Sequence, residues 1–282
     1  YRDARNVKNG DAADLVVGQL DFVHNNVNRT GELFQLSDVG LNSPASVSVD
    51  AQGNLWVADT GNGRVLRFAK PFEQPSEPRA NLVLGQASGG RAATAVFGQR
   101  DFALSNAGSE ADKLNGPRFI STDTDDRVYV ADAGNNRVVV YRQQTAQQPS
   151  GLPGVLFLPA STPFGVTVSR ETGSVWVAEA GSNRVLRYSK FEDLQIQQQP
   201  TADVIFANGP QSVAIDPQDN PIITEGLNRI VFHFPRLVFR NAASYSNRVL
   251  APGMIAILGK FTSASFNSKN ELATGSSWPD NL

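Results

Sequence analysis

An acidic residue and an arginine recur together along the chain, with a turn rich in Gly and Asn between them. The side chains of these units that could face a ligand are Asp59, Asn62, Arg64, Asp132, Asn135, Arg137, Glu179, Asn183 and Arg184. A ring of such groups on one face could bind a ligand or a cation. The structural alternative is that the acid binds turn backbone groups and the arginine pairs with a carboxylate in every repeat. We favour the structural interpretation for the pairs themselves.

A second set of carboxylates ends a short apolar segment in three of the repeats: Asp50, Asp123 and Asp216. Three carboxylates that face one channel would bind a hard cation such as Ca²⁺ through oxygen ligands at about 2.3–2.6 Å. Each aspartate also stands just before a turn, where it can cap backbone N–H groups. We favour capping and predict no cofactor, with a divalent cation such as Ca as the alternative.

Residues for other catalytic chemistry are scarce. The chain has no cysteine and two histidines, His24 and His233, whereas a catalytic zinc usually has three protein ligands. No Gly-x-Ser-x-Gly nucleophile elbow is present. The sequence therefore favours a non-catalytic protein.

The elements that position these residues are short strands in a repeated unit. The segment VADTGNGRVLRF at 57–68 returns at 130–141 and 177–188, and in altered form at 223–234. The later copies stand about 45 residues apart, a period typical of propeller blades. Each copy reads as a Pro-led strand, a β-branched and aromatic strand, a tight turn and two further strands. The prediction is an all-β protein, a β-propeller of four-stranded antiparallel blades.

The pattern Val-Ala-Asp-x-Gly-Asn-x-Arg-Val after a Pro-led strand resembles the NHL-repeat β-propellers, over roughly residues 41–235. The fourth copy departs from the pattern, since Glu225 replaces the aspartate and one turn residue is missing. The motif Gly-Gln-x-Asp-Phe, at 18–22 and 98–102, is similar to secreted acidobacterial members. The resemblance implies five or six blades when the propeller is complete. It also implies a bacterial, secreted, cell-surface or periplasmic protein.

Relatives in the resembled family include a zinc-dependent amidating lyase, and propeller lactonases hold a divalent ion in the central tunnel. A metal-dependent lyase or lactonase-like enzyme with its site in the tunnel is therefore the alternative function. The favoured function is a binding or scaffolding propeller that meets a protein or carbohydrate ligand at the cell surface. The ligand face would carry the long inter-blade connections, residues 20–40 and 87–115, because loops on a rigid scaffold often bind ligands.

The ends of the chain give further expectations. Leu15–Gln19 repeats the later segment LVLGQ, which predicts a fourth strand of a blade whose earlier strands are absent, so that the propeller, residues 1–240, begins inside a blade. Residues 241–282 resemble the opening of an immunoglobulin-like domain. Within the insertion, LVLGQ at 82–86 is followed by AVFGQ at 95–99. The second copy is either part of a binding loop or an extra strand that seals a blade edge.

Composition limits the partners. The formal net charge is −2, from 25 basic and 27 acidic residues, and no basic stripe is present. Nucleic acid is therefore not an expected partner. No run of eighteen apolar residues occurs, so no membrane span is expected. The repeated aromatic residues Trp56, Tyr129 and Trp176 are expected to be buried between neighbouring blades.

Overall fold

The computed structural model describes residues 1–73 except Ala4 and Phe34, then 107–143, 153–226 and 228–233. It also describes the backbone of four strand segments, at 80–87, 96–102, 238–241 and 255–258. The chain divides into two compact units, Tyr1–Val231 and Phe232–Leu282. The predicted boundary at residue 240 stays a prediction.

The first unit consists of sheets in which consecutive strands pair antiparallel, except for β4 and β5, and we call each sheet a blade. Blade 1 contains β1 (Pro44–Val49), β2 (Leu55–Asp59), β3 (Arg64–Phe68), β4 (Ala80–Ala87) and β5 (Val96–Phe102). Blade 2 contains β6 (Pro117–Thr122), β7 (Val128–Asp132), β8 (Arg137–Tyr141) and β9 (Leu156–Pro159). Blade 3 contains β10 (Pro163–Val168), β11 (Val175–Glu179), β12 (Arg184–Tyr188) and β13 (Ala202–Phe206). Blade 4 contains β14 (Pro210–Ile215), β15 (Pro221–Glu225) and β16 (Arg229–Phe232).

The predicted all-β fold class is therefore confirmed: blades 2 and 3 are four-stranded antiparallel sheets, blade 1 has a fifth strand, three strands of blade 4 are described, and the described residues contain almost no helix. One short α-helix, α1 (Phe191–Leu194), follows β12 and buries Phe191 and Leu194. Short 3₁₀ turns occupy Val27–Arg29, Thr60–Asn62, Pro71–Glu73, Ala133–Asn135 and Ala180–Ser182. No helix of the described part of the chain is long and apolar enough to cross a bilayer.

Each blade begins at a proline, and the local structure there follows from proline chemistry. The preceding residue has a positive φ in every blade: Ser43 (49°), Gly116 (59°), Thr162 (47°) and Gly209 (55°). Because proline has no N–H to donate, it is tolerated at the first residue of a strand or at a bulge. The pairing of the first and second strands shifts directly after the proline in all four blades.

The core lies between successive blades. The first strands lie side by side in the order β1, β6, β10 and β14. The repeated aromatic residues of the second strands face the following blade, and Trp56, Tyr129 and Trp176 are exposed by only 1%, 0% and 4%. Their predicted burial is confirmed. Trp56 packs in a cluster with Ile120 of the next blade, and Trp176 packs with Val213.

The predicted strand at Leu15–Gln19 is absent, because these residues form bends and a loop. Gly18 adopts a φ of +90°, and a Cβ there would lie 2.5 Å from the Cδ1 atom of Leu41. The segment instead packs against blade 1, where Val17 contacts the cluster that contains Leu41 and Phe68. The later copy of the motif is a strand because β3 lies beside it. The argument that an N-terminal strand completes a blade is therefore wrong.

The near-duplicated segment in the insertion forms β5, which pairs parallel to β4 as a fifth strand of blade 1. The interpretation as an extra strand at a blade edge is the one that the structure supports. In the second unit, β17 (Val238–Asn241) pairs antiparallel with β18 (Ile255–Leu258). The predicted immunoglobulin-like domain otherwise lies outside the described residues.

Candidate functional site

The turns between the second and third strands form one surface, which we call the hairpin face: residues 60–63, 133–136, 180–183 and the corresponding turn before Arg229. Each turn ends in a left-handed residue, Gly63 in blade 1 and Asn136, Asn183 and Asn228 in the others, with φ between 52° and 61°. Gly and Asn tolerate this conformation better than other residues do. The turn therefore presents an acid before it and an arginine after it in every blade.

The acid at the end of each second strand connects the turn to the residue two positions before the strand-initiating proline. In blade 1, Asp59 accepts the N–H of Asn42 at 2.6 Å and the Nε–H of Arg64 at 2.6 Å. In blade 2, Asp132 accepts the N–H of Asn115 at 2.6 Å and the Nε–H of Arg137 at 2.8 Å. This arrangement fixes the start of the first strand against the hairpin.

The same acid-to-backbone bond recurs in the last two blades, with glutamate in place of aspartate. Glu179 accepts the N–H of Ser161 at 2.5 Å, and Glu225 accepts that of Asn208 at 2.9 Å. Glu179 pairs with Arg184 and Glu225 pairs with Arg229. The predicted ligand-face acids thus all have a structural contact.

The asparagines of the set also bind the chain itself. Asn62 donates to Asp59 at 2.8 Å and to the side-chain oxygen of Asn28 at 2.7 Å. Asn135 donates to Asp132 at 2.8 Å and to the carbonyl of Gly108 at 2.7 Å. In blade 3 the side-chain oxygen of Asn183 accepts the N–H of Gly209 at 2.9 Å and so reaches the next blade.

The arginines differ strongly in their surroundings. The Arg64 side chain is fully buried and donates to the carbonyls of Ser37 and Gly40 at 3.0 and 2.9 Å. The Arg137 side chain is 15% exposed. Its guanidinium donates to three backbone carbonyls at 2.7–3.0 Å: Ser109, Glu110 and Lys113. The long connections 20–40 and 87–115, which were expected to bind a ligand, therefore supply segments that enclose these two arginines.

The arginines of blades 3 and 4 lack such a cover. The side chains of Arg184 and Arg229 are 37% and 49% exposed. Among the described residues, the guanidinium of each arginine hydrogen-bonds only the glutamate of its own blade. The chain path gives the reason for blade 3: β9 ends at Pro159 and β10 begins at Pro163, so the connection before this blade is too short to cover its hairpin. Hydrogen bonding to Glu179 raises the pKa of Arg184 above its ordinary value, so this guanidinium is charged.

A cleft of about 530 Å³ lies beside Arg184. It is lined by polar groups of Asn136, Ser161 and Glu179 and by the apolar side chains of Pro159, Leu186 and Val204. Val204 is 45% exposed within the described surface. The cleft therefore offers charged, polar and apolar contacts at one place on the hairpin face.

The carboxylates considered as metal ligands act as turn caps. Asp50 accepts the N–H groups of Gln52 and Asn54 at 3.1 and 2.8 Å, and the indole N–H of Trp56 at 2.9 Å. Asp123 accepts two turn N–H groups at 3.0 Å and the hydroxyl of Tyr129 at 3.0 Å. Asp216 accepts the N–H groups two and four residues onward at 2.8 and 2.9 Å. In the described part of the chain, no three His, Asp or Glu side chains gather to hold a metal ion.

The histidines have surroundings of their own. The Nδ1 atom of His24 lies 2.7 Å from the Asp21 carboxylate, and both side chains are 47% exposed. This hydrogen bond lowers the pKa of Asp21 to about 2. His233 belongs to the second unit.

Sequence reasoning missed the backbone carbonyls that enclose Arg64 and Arg137, because a carbonyl carries no residue-type signal. It also missed Asn28, which is fully buried and donates to the carbonyls of Glu32 and Leu33. The unusual length of connections 20–40 and 87–115 was the signal in the sequence. That length predicted ligand-binding loops, whereas in the structure these connections supply the carbonyls around Arg64 and Arg137.

Comparison with known proteins gives the repeat type. The model of the NHL repeat matches residues 41–68 and 114–141, the segments that contain the first three strands of blades 1 and 2. No curated protein matches the chain.

Several solved structures are similar to the chain at low sequence identity. A catalytically inactive virginiamycin B lyase from Staphylococcus aureus, with quinupristin, is 14% identical at a TM-score of 0.43, and the match covers 69% of this chain and 58% of that one. A Bacteroides uniformis protein named as a 6-phosphogluconolactonase is 14% identical at a TM-score of 0.49, with 79% and 58% covered. Hydrazine synthase from Kuenenia stuttgartiensis is 14% identical at a TM-score of 0.44, with 71% and 53% covered. The chain thus spans less than two thirds of each of these structures.

Proposed function

We propose that this NHL-repeat β-propeller is a non-catalytic binding module that holds an extended polypeptide segment of a partner on the hairpin face of blades 3 and 4. The observation that supports this function is the difference between equivalent arginines. Two are enclosed by the protein's own loops, whereas Arg184 and Arg229 are partly exposed and contact one glutamate each among the described residues. The setting we propose is extracellular, at the cell surface or in the periplasm.

The enclosed arginines indicate which chemistry fits the exposed ones. A guanidinium has five N–H donors in a planar arrangement. Arg64 directs its donors to one carboxylate and to carbonyls three residues apart in the connection that precedes β1. A partner segment in extended form presents backbone carbonyls in the same way. In blades 3 and 4 such a segment would take the place that residues 37–40 and 109–113 occupy in blades 1 and 2.

The cleft beside Arg184 adds side-chain selectivity to this backbone recognition. Its volume of about 530 Å³ lies within the ordinary range for a ligand site, and its lining mixes apolar and polar groups. A carbohydrate is the other ligand class that we considered. Carbohydrate hydroxyls also accept hydrogen bonds from arginine, but Tyr188, the aromatic residue at the cleft, is 2% exposed and has little ring surface available for a sugar. We therefore favour a polypeptide.

The test is selection of ligands from a displayed library of unstructured peptides and, in parallel, from a glycan array. We expect peptides to be selected and Arg184→Ala to weaken their binding about 10–100-fold, because hydrogen bonds to a charged group contribute about 1.5–3 kcal/mol. Arg170→Ala is the matched control, since Arg170 is exposed in the turn after β10, at the opposite end of the strands from the hairpin face. Its affinity should equal that of the unmodified protein.

Two results would overturn the proposal. Selected peptides that bind Arg184→Ala and Arg229→Ala as tightly as the unmodified protein would show that these arginines do not contact the ligand. Selection of glycans with no peptides would replace the polypeptide with a carbohydrate.

A further inference from the structure

Blade 3 lacks an acceptor that blades 1 and 2 possess. In those blades the aromatic residue of the second strand donates to an aspartate at the end of the first strand: Trp56 to Asp50 at 2.9 Å and Tyr129 to Asp123 at 3.0 Å. The equivalent position in blade 3 is Ser169. Trp176 is only 4% exposed, and its indole Nε1–H has no acceptor among the described residues.

A second donor beside the indole is also without an acceptor. The guanidinium of Arg187 lies over the Trp176 ring at 5.4 Å, as that of Arg67 lies over Trp56 at 5.7 Å. Its terminal nitrogens lie 3.3 Å from Asp219 and 3.8 Å from Asp203. The Nε–H of Arg187 is buried and has no partner in the described part of the chain. Two adjacent buried donors of this kind are unusual, since more than nine in ten buried polar groups are hydrogen-bonded.

Ser169 does not replace the missing carboxylate, because it serves the local turn. Its hydroxyl accepts the N–H of Thr172 at 3.1 Å, and the Thr172 hydroxyl accepts the N–H of Ser174 at 3.2 Å. In this turn, hydroxyl groups accept the backbone N–H groups that a carboxylate accepts in blades 1 and 2. The donors of Trp176 and Arg187 remain without an acceptor.

A cavity of about 480 Å³ opens beside Arg187, whose guanidinium lies over the Trp176 ring. Arg187 and Ser174 line it, and its wall contains mainly hydroxyl and charged groups: Thr172, Ser189, Lys190, Asp193, Thr201 and Asp203. Hydroxyls that donate and accept, together with two cationic side chains, suit a small ligand that contains both a carboxylate and hydroxyl groups.

We propose that blade 3 binds a small hydroxycarboxylate. The ligand carboxylate takes the place of the missing aspartate and accepts the indole N–H of Trp176 and the Nε–H of Arg187, and the hydroxylated part lies in the cavity. Blade 1 contains the same arrangement within one chain: the Asp50 carboxylate accepts the Trp56 indole N–H, the Arg67 guanidinium lies over that ring, and Asp126 binds neighbouring Gln52. Asp219 is the equivalent of Asp126. Because Asp203 and Asp193 repel an anion, we expect affinities in the millimolar range.

The experiment follows the indole ¹H–¹⁵N resonances of the full chain, with the Trp176 signal assigned by Trp176→Phe. Glycolate is the probe, methyl glycolate is the uncharged control, and chloride at equal ionic strength is the anion control. We expect a saturable downfield shift of the Trp176 indole proton with glycolate alone. The Trp56 indole is an internal control, because Asp50 already accepts its proton, and it should not shift.

Variants separate binding from general anion effects. Ser169→Asp restores the carboxylate of blades 1 and 2, so the Trp176 indole should shift downfield without ligand and no longer respond to glycolate. Arg187→Gln should weaken glycolate binding about tenfold or more. An unchanged Trp176 signal at saturating glycolate, or an equal response to methyl glycolate or chloride, would overturn the proposal even if Ser169→Asp did not fold.

Discussion

The acid–arginine pairs stand at equivalent positions of the repeats but differ in solvent exposure, and exposure determines how much each pair contributes to stability. The side chains of Arg64 and Asp59 are both fully buried, so each charge is compensated by the other and not by water. Arg229 is half exposed, so water can replace its partner. Breaking a buried ion pair leaves an uncompensated charge in the interior, whereas an exposed pair contributes little.

We therefore expect Asp59→Ala to lower the free energy of unfolding by about 3–5 kcal/mol. The substitution removes the carboxylate that accepts three hydrogen bonds, from the Nε–H of Arg64, the side chain of Asn62 and the N–H of Asn42. Glu225→Ala is the matched comparison in blade 4 and should cost about 1–2 kcal/mol. Urea denaturation of both variants gives the values. Equal losses would contradict the argument from exposure.

The turn-capping aspartates lead to a prediction about metal. Because the oxygens of Asp50 and Asp123 accept backbone and aromatic donors, we expect no stoichiometric metal in protein purified without chelator. Asp50→Ala should lower the stability instead, since it also leaves the buried Trp56 indole without an acceptor. Elemental analysis of the unmodified protein and of Asp50→Ala and Asp123→Ala provides the measurement. Stoichiometric metal that is lost in either variant would favour an enzyme with a metal in the tunnel.

At the scale of elements, the blades are held together by the side chains that the second strands direct toward the next blade. Trp176 contacts the cluster that includes Val213 and Ile223 of blade 4. An aromatic residue on the outermost strand of the same blade is not buried in this way: Phe206 of β13 is 83% exposed. The contribution of an aromatic residue thus depends on which strand carries it.

Trp176→Ala should cost roughly 3–5 kcal/mol of unfolding free energy, through lost burial and the cavity that remains. Phe206→Ala should change it by less than about 0.5 kcal/mol, because the ring is already in water. Thermal and urea unfolding of the two variants test this pair. An unchanged melting temperature for Trp176→Ala would show that the blades do not pack through this ring.

For the first unit as a whole, stability in alkaline solution depends on buried phenols. Burial raises the pKa of Tyr188 from 10.0 to about 12, and its hydroxyl donates to the carbonyl of Pro159 in blade 2. Burial also raises the pKa values of Tyr129 and Tyr141. The protonated phenol is therefore the form that the folded protein favours, and ionisation opposes folding.

Because the pKa in the folded state is the higher one, the contribution of Tyr188 is fully present below pH 10 and is lost as the pH rises through about 12. We expect the free energy of unfolding to fall over this range. Tyr188→Phe cannot ionise at this position and should show a shallower fall. Urea denaturation between pH 9 and 12, at steps of about one unit, measures both slopes. Parallel curves for the two proteins would contradict the prediction.

Much of the fold could be predicted because its signals are local. The Pro-led start, the β-branched second strand and the Asn or Gly turn act within one repeat, and they give the blades and the buried face of Trp56, Tyr129 and Trp176. The acid and the arginine of each hairpin also follow from the turn between them, so their pairing was predictable. The two residues of each such pair are four or five positions apart in the sequence and lie on neighbouring strands, so the contact is local.

Tertiary structure decided the rest, because burial depends on segments far away in the sequence. Val47 and Ile120 occupy equivalent positions in β1 and β6, yet Val47 is 62% exposed and Ile120 is 2% exposed, since blade 1 covers only the second. Arg64 and Arg184 likewise occupy the same position after the turn, yet residues 37–40 of the preceding connection enclose only Arg64. The replacement of a carboxylate by Ser169 was visible in the sequence. Only the structure shows that no other group among the described residues accepts the donors of Trp176 and Arg187.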